Sequence, residues 1–327
     1  GRPFEFGYSF SVAETFEKWG REETLGDIVR VIREVRPDVI LTLPLESGGG
    51  GQHHQAVAQL TRDAFRAAAD PARFPGQLEG GLRPWQARTL YQGGTGGFAL
   101  NLPGTPVEVP TGVYDPLLGM TWQELGSLAR ALHRCQGMRQ LKADPGEARG
   151  VYFLVDAEPP LGEDLDGDIL AGLDTTLVGL ARFAPASDSL KRALAELQGT
   201  AEAARSAFDP HQPSAAVAPL AEHLGATREL LGRLSEHVED PTSRREILER
   251  LRDEERDTER AMVLAQGLVV EARADDGLVT PGQAFGVTVS AWNHGPLAVE
   301  LASLSLEVPE GWTVEGPGGD GGPLEPG

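Results

Sequence analysis

A short, nearly continuous apolar run, Val39-Ile40-Leu41-Thr42-Leu43, constrains this chain more than any other feature. It is too short for a helix and has no polar face. Such a run predicts a strand buried on both sides, as in a parallel sheet with helices on each face. Its flanks agree with that reading. Residues 24–35 place Leu25, Ile28, Val29, Ile32 and Val35 at i, i+3, i+4, i+7 spacing, with Asp27, Arg30, Arg33 and Glu34 between them, which predicts an amphipathic helix. Arg36-Pro37-Asp38 ends it, because Pro37 cannot continue the ladder and biases Arg36 away from the helical region. After the strand come Pro44-Leu45-Glu46-Ser47, glycines at 48–51, and Gln52-His53-His54-Gln55. A second helix is predicted over residues 55–69, with Ala56, Leu60 and Ala64 on its apolar face and Asp70-Pro71 as its stop. In open α/β sheets ligands gather beyond the carboxyl ends of strands. The glycine loop and the two histidines lie at that end.

Further along, Arg88-Thr89-Leu90-Tyr91 and Val151-Tyr152-Phe153-Leu154-Val155 read as strands. A third helix is predicted over residues 121–139, with Thr121 as N-cap and Glu124 three residues on. From residue 188 to 266 Ala, Leu, Glu and Arg dominate, broken at Asp209-Pro210 and Asp240-Pro241, which predicts two or three helices in a hairpin or small bundle. Its charge-dense stretch, residues 246–260, reads as a solvated helix face with i,i+4 pairs. At Leu268 the period changes from 3.6 to 2. Residues 268–272, 285–292 and 304–308 read as strands, punctuated by Pro281-Gly282 and Asn293-His294-Gly295-Pro296. This resembles the opening of an immunoglobulin-like sandwich with fewer than its usual strands. The expected organisation is an α/β sheet domain over residues 1–187, a helical linker or bundle over 188–266, and a truncated β-sandwich over 267–327.

The formal net charge of −20 argues against nucleic-acid partners and anionic membranes. The single cysteine, Cys135, excludes an intrachain disulfide and a cysteine-rich zinc knuckle. No 18-residue apolar run occurs, so no integral membrane segment is expected. Gly1 and the Gly/Pro-rich residues 316–327 read as cut ends. The appended β-sandwich favours a secreted or periplasmic location. Nothing in the pattern fixes the oligomeric state.

The chemistry concentrates at residues 48–57. Glycines let backbone approach a ligand closely, and a starting helix offers free N–H groups to an anion or oxyanion. His53 and His54 add two imidazoles, each a candidate metal ligand or proton carrier, about 100° apart on a helix. A zinc site needs three or four ligands. The remaining histidines, His133, His211, His223, His237 and His294, are scattered singly and read as helix-surface or turn residues, with His133 the one to watch. A phosphate-binding reading of the glycines lacks the Lys-Ser/Thr pair that would hold phosphate and Mg²⁺. Asp164-Leu165-Asp166-Gly167-Asp168 lacks the distal glutamate of a calcium loop and reads as a solvated acidic loop.

Arg36-Pro37-Asp38-Val39-Ile40-Leu41-Thr42, the glycine loop and His53-His54-Gln55-Ala56-Val57 together resemble the second motif of the PIG-L/LmbE-like de-N-acetylases. The family's usual text there is a His-x-Asp-His run followed by x-Ala-Val. Aligned on Ala56-Val57, its last histidine falls on His54, which the resemblance makes a zinc ligand. Its aspartate falls on His53 and its first histidine on Gly51. The likeness extends through Glu17-Lys18-Trp19-Gly20, Leu82-Arg83-Pro84-Trp85, His133-Arg134-Cys135-Gln136-Gly137-Met138 and Leu173-Asp174-Thr175-Thr176, about residues 1–185.

The resemblance implies a Rossmann-like three-layer fold, a Zn²⁺ cofactor, and hydrolysis of an N-acetyl amide on a small amino sugar or its conjugate. In that chemistry zinc acidifies a bound water and polarises the acetyl carbonyl, a carboxylate takes the proton, and a histidine steadies the oxyanion. The last role falls to His53, since Gly51 has no side chain. The family's primary motif, a His-Pro-Asp-Asp-Glu run that supplies two ligands and the base, does not occur in these 327 residues. The expectation is therefore an incomplete ligand set, an inactive fragment and a sheet strained by loss of its first strand. The competing reading is a non-catalytic, degenerate deacetylase fold acting as a secreted glycan- or partner-binding module.

Overall fold

The computed structural model describes residues 7–46, 51–94, 102–134, 137–138, 143–161, 167–316 and 319–327. They fall into two compact units, Gly1–Leu173 and Asp174–Gly327. Gly48–Gly50, Cys135, Gln136 and the Asp164–Asp166 part of the acidic loop lie outside the described residues.

The first unit is mixed α/β. Helix α1 (Val12–Trp19) starts at Ser11, whose hydroxyl accepts from Glu14 N, while the Glu14 carboxylate accepts from Phe10 N. Gly20, at φ 78, ends α1 and opens α2 (Arg21–Val35). A side chain there would be strained by the left-handed backbone and would meet the Glu23 carboxylate. Helix α2 buries Leu25, Val29 and Ile32 and stops at Arg36, which takes the left-handed conformation just before Pro37. Strand β1 (Val39–Thr42) follows, then α3 (Gln52–Ala67) and a short α4 (Pro75–Glu79). Next come β2 (Thr89–Gly94), β3 (Pro106–Pro110), the two-residue strands β4 (Tyr114–Asp115) and β5 (Met120–Thr121), helix α5 (Trp122–Arg130) and β6 (Arg149–Ala157).

The main sheet has the order β1-β2-β6-β3. Only β1 and β2 run parallel, with Val39 opposite Thr89 and Thr42 opposite Gln92. Strands β2 and β3 both pair antiparallel with β6. The sheet is therefore mixed, not parallel. Strand β1 is also not buried on both faces as its composition predicts. It forms the edge, and Leu41 is 50% exposed. An apolar run reports affinity for a core, not the number of neighbours the sheet supplies. On one face Ile40 packs with Phe65 of α3, Ala87, Leu90 and Val155. On the other, Val39, Tyr91, Val107, Tyr152 and Leu154 pack with Leu161 and Ile169. Helix α3 begins three residues earlier than predicted, so both histidines lie in its first turn. Helix α5 has the predicted Thr121–Glu124 capping box but ends at Arg130. There the chain tightens into i→i+3 bonds, and the His133 ring also meets Arg130 O at 3.0 Å.

Arg33 is the least expected core residue, at 1% exposure. Its guanidinium donates to Ala68 O at 3.0 Å, Asp70 O at 2.9 Å, Arg73 O at 3.0 Å and Gln77 Oε1 at 3.1 Å. It thus gives a further donor to carbonyls at the C-terminal end of α3 and in the following turn, of which Ala68 O and Asp70 O also accept from Trp85 N and Arg73 N.

The second unit opens with a 3-10 helix (Leu177–Phe183) and continues as α6 (Asp188–Ala207), α7 (Val217–His237) and α8 (Pro241–Gln266). Leu190, Leu194, Leu197, Leu230, Leu234, Ile247 and Leu251 form their shared core. His223, read from sequence as a surface residue, is buried. Nδ1 lies 2.8 Å from Thr200 Oγ1 on α6 and Nε2 lies 2.8 Å from Glu254 Oε1 on α8. The charge-dense stretch is only partly a solvated face, because Glu246 is buried beside Arg250. Beyond α8, β7 (Leu268–Ala274) pairs antiparallel with β8 (Val287–Asn293), and β9 (Val299–Leu304) with β10 (Gly319–Leu324). These are two separate ladders, and β9 lies five residues before the strand read from sequence.

Arg33→Leu should lower the stability of the first unit by about 2–4 kcal/mol, because four acceptors each lose a guanidinium bond together. Urea denaturation followed by tryptophan fluorescence measures it. A loss below about 1 kcal/mol would mean that water replaces the guanidinium.

Candidate functional site

The site lies where β1 ends and α3 begins. Gln92, buried on β2, accepts from Leu45 N through its Oε1 at 3.1 Å. Gln59 of α3 donates to Leu45 O at 3.4 Å. These two side-chain amides hold the loop after β1 between the sheet and the helix. Gly51 is the N-cap of α3, in extended conformation with no side-chain cap. The start of a helix is a favourable place for an anion or an oxyanion.

His53 and His54 occupy that turn, and both line a cleft of about 670 Å³. Leu41, Thr42, Leu43, Val57, Tyr8 and Trp19 complete its main walls. His54 is exposed to solvent. His53 is half-buried, its ring stacked on Trp19 with centroids 5.0 Å apart and planes 21° apart, and its Nε2 is shielded from solvent. On the floor, Ser9 is buried and its hydroxyl lies 2.8 Å from Thr15 Oγ1. Tyr91, on the strand next to β1, is fully buried. Burial first, and the charge of Asp168 second, push its phenol above the usual tyrosine value, so it stays neutral.

The sequence pattern located the two histidines. It did not locate Trp19 as their neighbour, because the stack depends on how Gly20 turns α1 back beside α3. Gln92 was also missed, since one glutamine in a strand carries no sequence signal. His133 is exposed and engaged with the end of α5; His211 and His294 are exposed, while His237 is half-buried at the end of α7.

Among the described residues no three His, Cys, Asp or Glu side chains gather in a group able to hold a metal ion. His54 therefore has no described co-ligands. The described residues do not by themselves fit zinc, and a zinc ion at His54 would need ligands from outside them. No described helix is long and apolar enough to cross a membrane.

No family model matches the chain. The chain is 39% identical over 70 residues to a 1D-myo-inositol 2-acetamido-2-deoxy-alpha-D-glucopyranoside deacetylase 2 of Frankia alni, covering 21% of this chain and 22% of that protein. It is 43% identical over 65 residues to the 1D-myo-inositol 2-acetamido-2-deoxy-alpha-D-glucopyranoside deacetylase of Thermobifida fusca, 20% of each. A deacetylase 2 of Frankia casuarinae is 41% identical over 71 residues, 22% of this chain and 21% of that one. The matched stretch spans about a fifth of the length of these curated relatives.

Trp19→Ala should leave the chain folded at a cost of about 1–3 kcal/mol and release the His53 ring. The ring-current displacement of the His53 ring protons should disappear from the ¹H–¹³C spectrum. An unchanged His53 signal would show that the two rings do not stack in solution.

Proposed function

We propose that this chain carries part of the active site of an enzyme that hydrolyses the N-acetyl amide of an amino sugar or its conjugate. One observation carries the reading: two histidines sit on the first turn of α3, at the carboxyl end of β1, facing one cleft. Relatives about 40% identical over a fifth of their length, all named as deacetylases of an N-acetylated glucosaminide, support it.

In this proposal the helix N-terminus and His53 steady the oxyanion that forms as the acetyl carbonyl becomes tetrahedral. Both are donors fixed before the reaction, and so cost little reorganisation. Trp19 holds the His53 ring in plane. His54 is the zinc ligand that this segment contributes. Because its co-ligands are absent from the described residues, the 327-residue chain by itself is inactive. Secretion or residence in the periplasm is proposed with the same reading. A purely scaffolding, glycan- or partner-binding module is the less favoured alternative, since the named relatives are enzymes.

Titrating the isotope-labelled chain with the inositol-linked N-acetylglucosaminide named for the relatives tests the reading. Shifts centred on His53, His54 and Trp19 are expected, with binding about tenfold weaker in His53→Ala. No shift there, or shifts confined to β7–β10, would sink the deacetylase reading and favour the binding module. Zinc content by mass spectrometry should be well below one per chain. Near one zinc per chain, lost in His54→Ala, would overturn the inactivity and show that the remaining residues complete the site.

A further inference from the structure

The segment ahead of α1 is pinned at Ser9 and Phe10 yet leaves two aromatic rings in solvent. Ser9 is buried, and its hydroxyl donates to Ser11 O at 2.9 Å and lies 2.8 Å from Thr15 Oγ1. Phe10 N donates to the Glu14 carboxylate at 2.8 Å. The rings on either side of Ser9 stay outside: Tyr8 is 70% exposed and Phe10 82%. They meet edge to face with centroids 5.0 Å apart. Tyr8 also lines the cleft that holds His53 and His54. It is an open aromatic ring in that wall, on a segment fixed before any ligand arrives.

The lining of the cleft selects the class of ligand. Among its described residues none is an aspartate, glutamate, lysine or arginine, although charged residues make up 24% of the chain. Beside the two histidines, its polar side chains are neutral, among them the hydroxyls of Thr42 and Thr61 and the Gln52 amide. Such a wall gives no fixed counter-charge to a phosphate or an ammonium group, so their loss of water would go uncompensated. Leu41, Leu43 and Val57 add exposed apolar surface. Apolar surface, one open aromatic ring and neutral hydrogen-bonding groups together match a sugar, which has C–H faces and a rim of hydroxyls. The C–H groups are slightly positive and are drawn to the negative face of an aromatic ring.

We propose that Tyr8 is the platform on which the pyranose ring of the amino sugar stacks, with the acetamido group directed toward His53 and His54. The inference rests on the amino-sugar reading of this cleft and adds the residue that holds the ring. The cleft, at about 670 Å³, lies within the range of small-molecule sites and exceeds what an acetamido group alone would fill. Trp19, the other aromatic ring of the wall apart from the histidines, is already stacked on His53. Tyr8 is therefore the ring left to meet the sugar, and it sets specificity by favouring a pyranose over an acyclic amide.

Nuclear magnetic resonance titration of the 327-residue chain tests the platform with two probes. One is methyl 2-acetamido-2-deoxy-α-D-glucopyranoside; the other is methyl α-D-glucopyranoside, which lacks the amide. Both should shift the Tyr8 ring signals, and only the first should also shift His53 and His54. Tyr8→Ala should weaken the acetamido sugar about tenfold, while Tyr8→Phe, which keeps the ring, should stay within about twofold of the parent. Tyr8 is exposed, so circular dichroism should not change in either variant. A measurement on the unaltered chain needs no variant: the sugar ring protons should move upfield under the ring current of Tyr8. Unchanged affinity in Tyr8→Ala, with His53 and His54 still shifting, overturns the platform and leaves the amino-sugar reading standing. An equal loss in Tyr8→Phe also overturns it, because the hydroxyl rather than the ring would then make the contact. Shifts at Tyr8 with both sugars, but none at the histidines, support the platform and count against the deacetylase reading. No binding of either sugar at about 10 mM overturns both.

Discussion

At the C-terminal end of α3 the chain turns back on itself, and several backbone carbonyls converge on one side chain of α2. Arg33 of α2 ties them together with one planar cation whose donors reach Ala68, Asp70 and Arg73. A lysine could not do this, because its ammonium is a single point, whereas a guanidinium spreads five donors over a fork. Arg33 thereby fixes one end of α3. Gln92 and Gln59, through Leu45, fix the loop at the other. The first turn of α3, with His53 and His54, is positioned because the helix is held at both ends.

The same contrast explains what the sequence made legible. Helix α2, strand β1 and helix α3 follow from periodicity and from Pro37, because those signals are local and each reports a face or a stop. The Thr121–Glu124 capping box is equally local. Arg33 was not legible as a core residue, since all but one of its partners are backbone carbonyls 34 to 41 positions away, which leave no residue-type signature. His223 was misread for a related reason. Its partners, Thr200 and Glu254, stand on two other helices, and nothing nearby in the chain announces them. The edge position of β1 and the antiparallel course of β6 are also non-local. A strand's composition tells how much apolar surface it carries, but pairing direction depends on where the connecting chain returns.

In the second unit His223 links all three helices of the bundle through two ring nitrogens. A leucine in its place would fill volume but leave the Thr200 hydroxyl without its ring partner, and buried polar groups are costly when unmatched. The polar pin ties α6, α7 and α8 together in the observed register. It plays the role for the bundle that Arg33 plays for the sheet domain. In both units, buried polar geometry supplies the specificity that apolar periodicity lacks.

Helix α5 extends that logic to the surface. Binary patterning predicts which face of a helix is apolar, but not that this face must turn inward. The inward choice is made by bonds, and here Gln123 and Ser127 make it in favour of the polar side. Leaving Trp122, Leu125 and Leu128 in water costs free energy that the two backbone contacts and the capping box do not obviously offset. The cleft at His53 is the opposite case. Its apolar walls are concave and already half-enclosed, so a small ligand can cover them.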